Sequence, residues 1–496
     1  MRNVRLAVNS GKVRGPVGAL LACALCSCAV GPNFHPPASP ATVAYLPDPL
    51  PAKTLAVDGP VGAAQTFLSG KEISAEWWKL FQSEELNALV AQALAANPSV
   101  AQAKASLRAA QEQVAAQRGS YWPQVQAGFT ASRQRNALGV LSPTLSSPES
   151  LFNLYTPQLT VSFAPDIFGG NRRQVESLMA TADVQRFELD ATYLTLINNV
   201  IAAVVQVAGL QEQLGQTERM VALNTESLEV LRHSLALGAV AGTDVAAQET
   251  ALAQAQATVP ALRHQLEVQR HQLAALVGKL PADSPVLKLG PSDLHLPTEI
   301  PLSMPSRLVE HRPDVLAAEA QLHAATAQVG VAIADMLPQF DITGGIGSVA
   351  TLMSDLFKSG TGFWSADGSL TQTLFAGGEL LHKKRAADAM LDEAGASYRA
   401  TVLGAFQNVA DSLHALTSDA ETLEASARAA RAAQNGFDIA RRQLELGSVN
   451  YLFLLIAEQT QMQAQIALVV ARTNRLTDTA ALFQALGGAP VMGPSP

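Results

Sequence analysis

Two stretches of this chain are too long and too regular to close on a compact core. From about Arg172 to Leu235, and again from about Leu380 to Leu444, no proline interrupts the sequence. In the first, Tyr193, Val200, Val207, Leu214, Val221, Leu228 and Leu235 recur every seven residues, each of the earlier ones preceded at four by Leu189, Leu196, Ala203 or Leu210. In the second, Val402, Val409, Leu416, Leu423, Ala430, Phe437 and Leu444 do the same, flanked by Phe406, Leu413, Ala420 and Ala427. Alternating four-three spacing predicts coiled-coil helices, and a strict seven-residue repeat predicts left-handed supercoiling. At 1.5 Å per residue each helix would reach roughly 100 Å. Charged residues are 15% of the chain, against roughly 25% in an ordinary soluble domain. With many alanines on the seam, helix backbones can approach closely. An ordinary coiled-coil dimer would explain the heptads, but not the strand-like segments that lie between them.

The chain also repeats itself at long range. Asn97-Pro98-Ser99-Val100 returns as Arg312-Pro313-Asp314-Val315, and Tyr121-Trp122-Pro123 as Met336-Leu337-Pro338, both at an offset of 215. Phe168-Gly169-Gly170 answers Phe375-Ala376-Gly377-Gly378. Leu235-Ala236-Leu237-Gly238 answers Leu444-Glu445-Leu446-Gly447, and Leu276-Val277-Gly278 answers Ala485-Leu486-Gly487, both at an offset of 209. Each half therefore reads as a helix opened by proline, a strand pair, a very long helix, a glycine-containing turn and a last helix. The offset shrinks between Pro338 and Gly378, which puts the main difference between the halves in a loop there.

The strand segments alternate with period two. Val125, Ala127, Phe129 and Ala131 oppose Gln124, Gln126 and Thr130, while Leu159, Val161 and Phe163 oppose Gln158, Thr160 and Ser162. In the second half Phe340, Ile342 and Ile346 oppose Asp341 and Thr343, then Trp364, Ala366, Leu370 and Leu374 oppose Ser365, Asp367, Ser369, Thr371 and Thr373. Runs of about ten residues, apolar on one side and small-polar on the other, fit a membrane β-barrel. A half-buried soluble sheet gives the same alternation. Four strands cannot close a barrel, which takes about eight, and lipid does not tolerate an open sheet edge. A barrel built from this chain must pool strands from several copies.

The N-terminus carries export chemistry. Arg2, Arg5, Lys12 and Arg14 precede an apolar run, Pro16 to Ala24, that is too short to span a bilayer. All three cysteines, Cys23, Cys26 and Cys28, fall at its end, so the mature chain holds neither a disulfide framework nor a cysteine metal site. Leu25-Cys26-Ser27-Cys28 fits the pattern around the acylated cysteine of a bacterial lipoprotein signal, and so does Leu20-Leu21-Ala22-Cys23. Cys28 is preferred because Ala29-Val30-Gly31-Pro32-Asn33-Phe34 comes directly after it. Removing residues 1–27 takes away four positive charges and changes the net charge from −8 to −12. An acidic chain lacks the basic stripe that nucleic acid requires. Beyond the signal no uninterrupted apolar run reaches the ~18 residues of a membrane helix.

Taken in order, these features resemble the outer membrane efflux protein family, and in particular its lipoprotein branch. Cys28-Ala29-Val30-Gly31-Pro32-Asn33-Phe34 is similar to that branch's N-terminal signature, and Trp77-Trp78-Lys79-Leu80-Phe81, followed by Leu86, Leu89 and Asn97, to its next landmark. The two Phe-Gly-Gly turns, the paired Leu-Gly turns and Ala485-Leu486-Gly487-Gly488 match as well. The resemblance implies an α+β membrane protein of the Gram-negative outer membrane. It would be a homotrimer whose three chains each give four strands to a 12-stranded β-barrel, continued into the periplasm by a barrel of long antiparallel helices. A periplasmic adaptor and a proton-driven inner-membrane pump are the implied partners, with lipid on Cys28 as its one covalent group. The expected organisation is a signal (1–27), a lipid-anchored extension with an equatorial segment (28–96), a first repeat (97–280), a linker (281–312), a second repeat (313–488) and a tail (489–496).

Several residues become candidates for function. By resemblance, the turns at Leu237-Gly238 and Leu446-Gly447 lie deep in the periplasm and meet the adaptor; glycine there also suits a bare connector. Leu452, Phe453 and Ile456 stand where the family narrows its pore. Ile456 occupies a place that commonly holds an acid, so a hydrophobic constriction replaces a carboxylate ring. Arg172, Arg173, Lys383, Lys384 and Arg385 open the long helices immediately after strands, where they suit lipid phosphates or simply a solvated face. Cations at a helix N-terminus oppose its dipole, so something else must favour them. No His-Glu-x-x-His, Walker loop or dinucleotide fingerprint appears, and His264 and His271, seven apart, could share a face but read as surface residues. The expectation is a passive channel, not an enzyme. An outlet for type I protein secretion keeps the same fold; a periplasmic coiled-coil scaffold or adaptor is the reading of another class, although two hairpins and two strand pairs in tandem argue against it.

Overall fold

Helix and strand boundaries follow the prolines and glycines closely. A computed structural model describes residues 29–42, 44–59, 61–71, 73–135 and 151–488. The signal segment, all three cysteines and the tail 489–496 lie outside the described residues. The chain forms β1 (Thr66–Ser69), α1 (Glu84–Ala96), α2 (Pro98–Arg118), β2 (Gln124–Arg135), β3 (Leu151–Phe163), α3 (Gly170–Ala236) and α4 (Gly242–Leu276). It continues through β4 (Glu299–Leu302), α5 (Pro305–His311), α6 (Pro313–Ala334), β5 (Gln339–Ser348), β6 (Gly362–Thr371), α7 (Glu379–Glu445) and α8 (Tyr451–Ala485). Helices α3 and α7 have 67 residues each, and α4 and α8 have 35 each. These elements gather into two compact units. One comprises the described residues within Met1–Pro36, Ala109–Ala182 and Ala320–Ala396; the other comprises those within Pro37–Arg108, Asp183–Glu319 and Ser397–Pro496.

The first unit contains a four-stranded antiparallel sheet in the order β2-β3-β5-β6. Its register places apolar residues directly opposite one another across all four strands. Ala127 faces Leu159, Leu159 faces Ile346, and Ile346 faces Trp364. On the other side Gln124, Ser162, Thr343 and Asp367 form an equally continuous polar row. The apolar row stands in the open, with Ile346 62% and Trp364 78% exposed. Among the described residues β2 and β6 are paired on one edge only. Leu374, expected on the last strand, lies beyond it, because β6 ends at Thr371. Sequence alternation continued past the point where pairing with β5 stops at Gln339.

The second unit buries the heptad seams. Tyr193, Val200, Val207 and Ala203 on α3 and Val409, Leu413, Leu416 and Ala420 on α7 are all buried. Toward Leu235 the first seam opens to solvent. Helix α3 contains a window long and apolar enough to cross a membrane, yet most of that window is buried within the chain, as in a core helix. Trp77 and Phe81 sit in the same core, with Trp77 stacked on Phe483 at 5.2 Å. The short strands β1 and β4 pair in parallel beside it.

The residues before the two helix-opening prolines do matched work. Asn97 donates from Nδ2 to the Leu276 carbonyl at 2.8 Å, at the end of α4. Arg312, at the corresponding place, donates from Nη1 to the Ala485 carbonyl at 2.8 Å, at the end of α8. Each thus satisfies a C-terminal carbonyl that the helix itself leaves without a partner.

Candidate functional site

The chain offers four surfaces that a conduit would need, and the local sequence builds each of them. The first is the apolar face of the sheet. Side chains alternate across a strand, so a period-two sequence in register yields one face of a single character. An apolar face this large and continuous on a folded chain calls for lipid or protein against it.

The second is the pair of interhelical turns. Gly238 and Gly447 both adopt φ of +72°, a conformation that glycine accepts at no steric cost. Around each the same two hydrogen bonds close the helix: Gly238 N–H to Leu235 O and Ala239 N–H to Ser234 O, then Gly447 N–H to Leu444 O and Ser448 N–H to Gln443 O, all at 2.9 Å. This is the six-to-one and five-to-two closure of a glycine-terminated helix. Leu237 and Leu446 are left pointing outward, both strongly exposed.

The third is the start of α8. Asn450 caps it, accepting from the Phe453 N–H at 3.1 Å. Leu452, Phe453 and Ile456 are exposed on this chain. The face turned inward holds Leu455 and Glu458, both buried. Glu458 escaped sequence reasoning, which placed no acid in this stretch. Burial pushes its carboxyl above the usual range.

The fourth is the basic start of α3 and α7. Asp166 answers what favours cations there: its carboxylate accepts from the Asn171 and Arg172 N–H groups at 3.0 and 2.9 Å and lies 3.4 Å from Arg172 Nε. On α7, Lys383 pairs with Glu379 and Lys384 with Asp388, while Arg385 is exposed. Arg173 corrects the expectation of a headgroup contact. It is 4% exposed and donates to the Val30 carbonyl at 3.0 Å, to Asn33 Oδ1 at 2.7 Å and to Glu176 at 2.7 Å. The cation is used inside the protein to hold the segment after Cys28, so no lipid phosphate can reach it. Burial works to raise the Glu176 carboxyl, but hydrogen bonds from His323 and Arg173 overcome this and hold it low. His323 also stacks on Phe34, with centroids 4.4 Å apart. His264 and His271 are exposed, and no cluster suited to a metal occurs among the described residues.

A continuous apolar sheet face, two long helical hairpins and glycine turns at corresponding places define a chain of the channel-forming outer-membrane class. The family described as Outer membrane efflux protein matches this sequence over residues 89–279 and again over 304–488, and the chain belongs to it. It is similar to the pyoverdine export outer membrane protein OpmQ of Pseudomonas putida, 30% identical over 418 residues that cover 83% of this chain and 87% of the relative. It is also similar to the outer membrane protein OprJ of Pseudomonas aeruginosa, 28% identical over 475 residues covering 95% of this chain and 94% of the relative. Among solved structures, that of the outer-membrane channel OprN superimposes with a TM-score of 0.81 at 27% identity, covering 94% of this chain and all of the other. The protein is accordingly an efflux channel of the Gram-negative outer membrane, and its family is one of transport proteins rather than enzymes.

Proposed function

We propose that three copies of this chain assemble into one exit duct, each giving its four strands to a shared 12-stranded barrel, since a barrel needs about eight strands to close. The observation that carries this reading is the sheet itself: an exposed apolar face bounded by two strands paired on one edge only. In lipid such edges must be closed, and further copies of the same sheet close them. The equal helix lengths in the two halves support a tandem repeat, 97–280 and 313–488, in which each half supplies one strand pair and one helical hairpin to the wall.

In this reading a lipid on Cys28 anchors the N-terminus, and Arg172, Lys383, Lys384 and Arg385 meet headgroup phosphates. The Leu237-Gly238 and Leu446-Gly447 turns meet a periplasmic adaptor, and a proton-driven inner-membrane pump supplies the energy. Leu452, Phe453 and Ile456 narrow the pore by excluding water, so the duct conducts passively. Protein extracted from outer membranes in detergent tests the assembly by its native mass and by the mass of its N-terminal peptide. Three copies, with an acylated Cys28 as residue one, are expected; a water-soluble monomer overturns the duct. For the constriction, Ile456→Asp should make single-channel conductance in planar bilayers sensitive to divalent cations. An unchanged response removes these residues from the pore.

A further inference from the structure

Residues 54–59 and 61–65 are tied to each other as a strap against α8, and one buried cation holds them there. The Thr54 N–H donates to Gln65 O at 2.9 Å, the Gln65 N–H returns to Thr54 Oγ1 at 2.9 Å, and Val57 N–H closes on Gly62 O at 2.7 Å. Arg475 of α8, with no exposed surface, donates from Nη2 to Ala63 O at 2.9 Å, Thr54 Oγ1 at 3.0 Å and Leu55 O at 3.4 Å. One turn further, Thr479 Oγ1 accepts from Gln65 Nε2 at 3.1 Å. Val57 packs against the cluster of Leu423, Ala427, Ala430, Leu468 and Ala471, so the strap also covers the contact between α7 and α8.

On its other side Arg475 is unmatched. Among the described residues its Nε and Nη1 are buried without a hydrogen-bond partner, and so is Oδ2 of Asp419 on α7. The charged groups acting on Asp419 are Asp478, three residues after Arg475 on α8, and Arg475 itself. Asp58 of the strap, Arg431 of α7 and Arg472 of α8 line the adjoining groove. Two donors and one acceptor are thus buried with their needs unmet around one guanidinium, while its remaining nitrogen grips the strap. A buried polar group without a partner is costly, which makes a second arrangement accessible in which Arg475 turns to the acids.

We propose that Asp419, Asp478 and Arg475 form a proton-operated latch: with Asp419 protonated Arg475 holds the strap formed by residues 54–59 and 61–65, and with Asp419 ionised it turns to Asp419 and releases the strap. Burial, then the Asp478 carboxyl, push Asp419 up to about 7 against the pull of Arg475. Burial likewise brings Arg475 down to about 10, so it stays charged through the change. The folded protein therefore binds this proton more tightly than the unfolded chain does. The strap is held below neutrality and loosened as pH rises through about 7. This device is independent of how many copies form the duct.

Hydrogen exchange of the Thr54, Val57 and Gln65 amides in the full-length protein, corrected for intrinsic rates, reads the latch directly. Raising the pH from about 6 to about 8 should lower wild-type protection by up to about tenfold, the equivalent of one pKa unit. Asp419→Asn, which keeps the shape and removes the charge, should stay protected throughout, and Asp478→Asn, which removes one push on Asp419, should move the step to lower pH. Arg475→Lys should lose protection at every pH while exchange at β1 and β4 is kept. Wild-type protection that ignores pH, as a fixed water between Arg475 and Asp419 would produce, overturns the proposal. So does an Asp419→Asn variant that keeps the wild-type step.

Discussion

The sheet-bearing unit and the helical unit spend the same apolar residues in opposite ways. In the helical unit Ile197, Ile201, Val204, Leu413 and Phe483 have no exposed surface, and their burial stabilises the chain by itself. In the sheet, Ile346 and Trp364 are more than half exposed although they stand directly opposite each other, and Phe129 on β2 is more than half exposed as well. The difference is one of solvent. A core residue is matched to neighbours in its own chain; a sheet residue facing outward has none there, and in the proposed duct it contributes only where hydrocarbon covers it. One chain therefore carries two separate requirements for stability, packing in one place and an environment in the other.

Substitutions can break that contrast, most strongly in the core. Leu413→Ala should cost about 2–5 kcal/mol in thermal or denaturant unfolding, in detergent and in bilayers alike. Ile346→Lys should cost roughly 2–4 kcal/mol in a bilayer, falling toward zero near an interface, and should matter far less in a micelle that can deform around it. Equal losses for Ile346→Lys in both media would show that this face packs on protein instead. A smaller pair compares the halves: Arg312→Ala strands the buried carbonyl of Ala485 and removes a second bond to Ala405, and should destabilise by about 1–3 kcal/mol. Asn97→Ala, which frees one, should cost about 1 kcal/mol in the same unfolding measurement. The smallest effect belongs to the turns. Gly238→Ala and Gly447→Ala each force a positive φ on a side chain and should cost roughly 1 kcal/mol, with equal shifts in melting temperature.

Much of this was legible in the residues alone. Heptads without proline marked the long helices to within two residues of their observed ends, because helix period and breaker residues are local properties. Alternation marked all four strands and their apolar face, since strand periodicity is equally local. It overran at Leu374, where pairing with the neighbouring strand decides the end. Arg173 was misread for a related reason: a basic pair at a strand–helix junction looks alike whether its cations face phosphate or the chain's own carbonyls. Nothing near Asp419 in sequence signals Asp478, 59 residues later.

By itself, then, the sequence determined the elements, their order and the faces they present, written in spacings of two to seven residues, and the doubling of the plan, written in landmarks that return some 210 residues later. Tertiary structure alone decided which strands lie side by side, which arginines are buried and which acids meet. Those outcomes depend on where a 67-residue helix, after its turn, brings its partner back, and a small change of register along either helix exchanges one neighbour for another. Hydrogen bonds and charges act over a few ångströms, so they are settled only once that register exists.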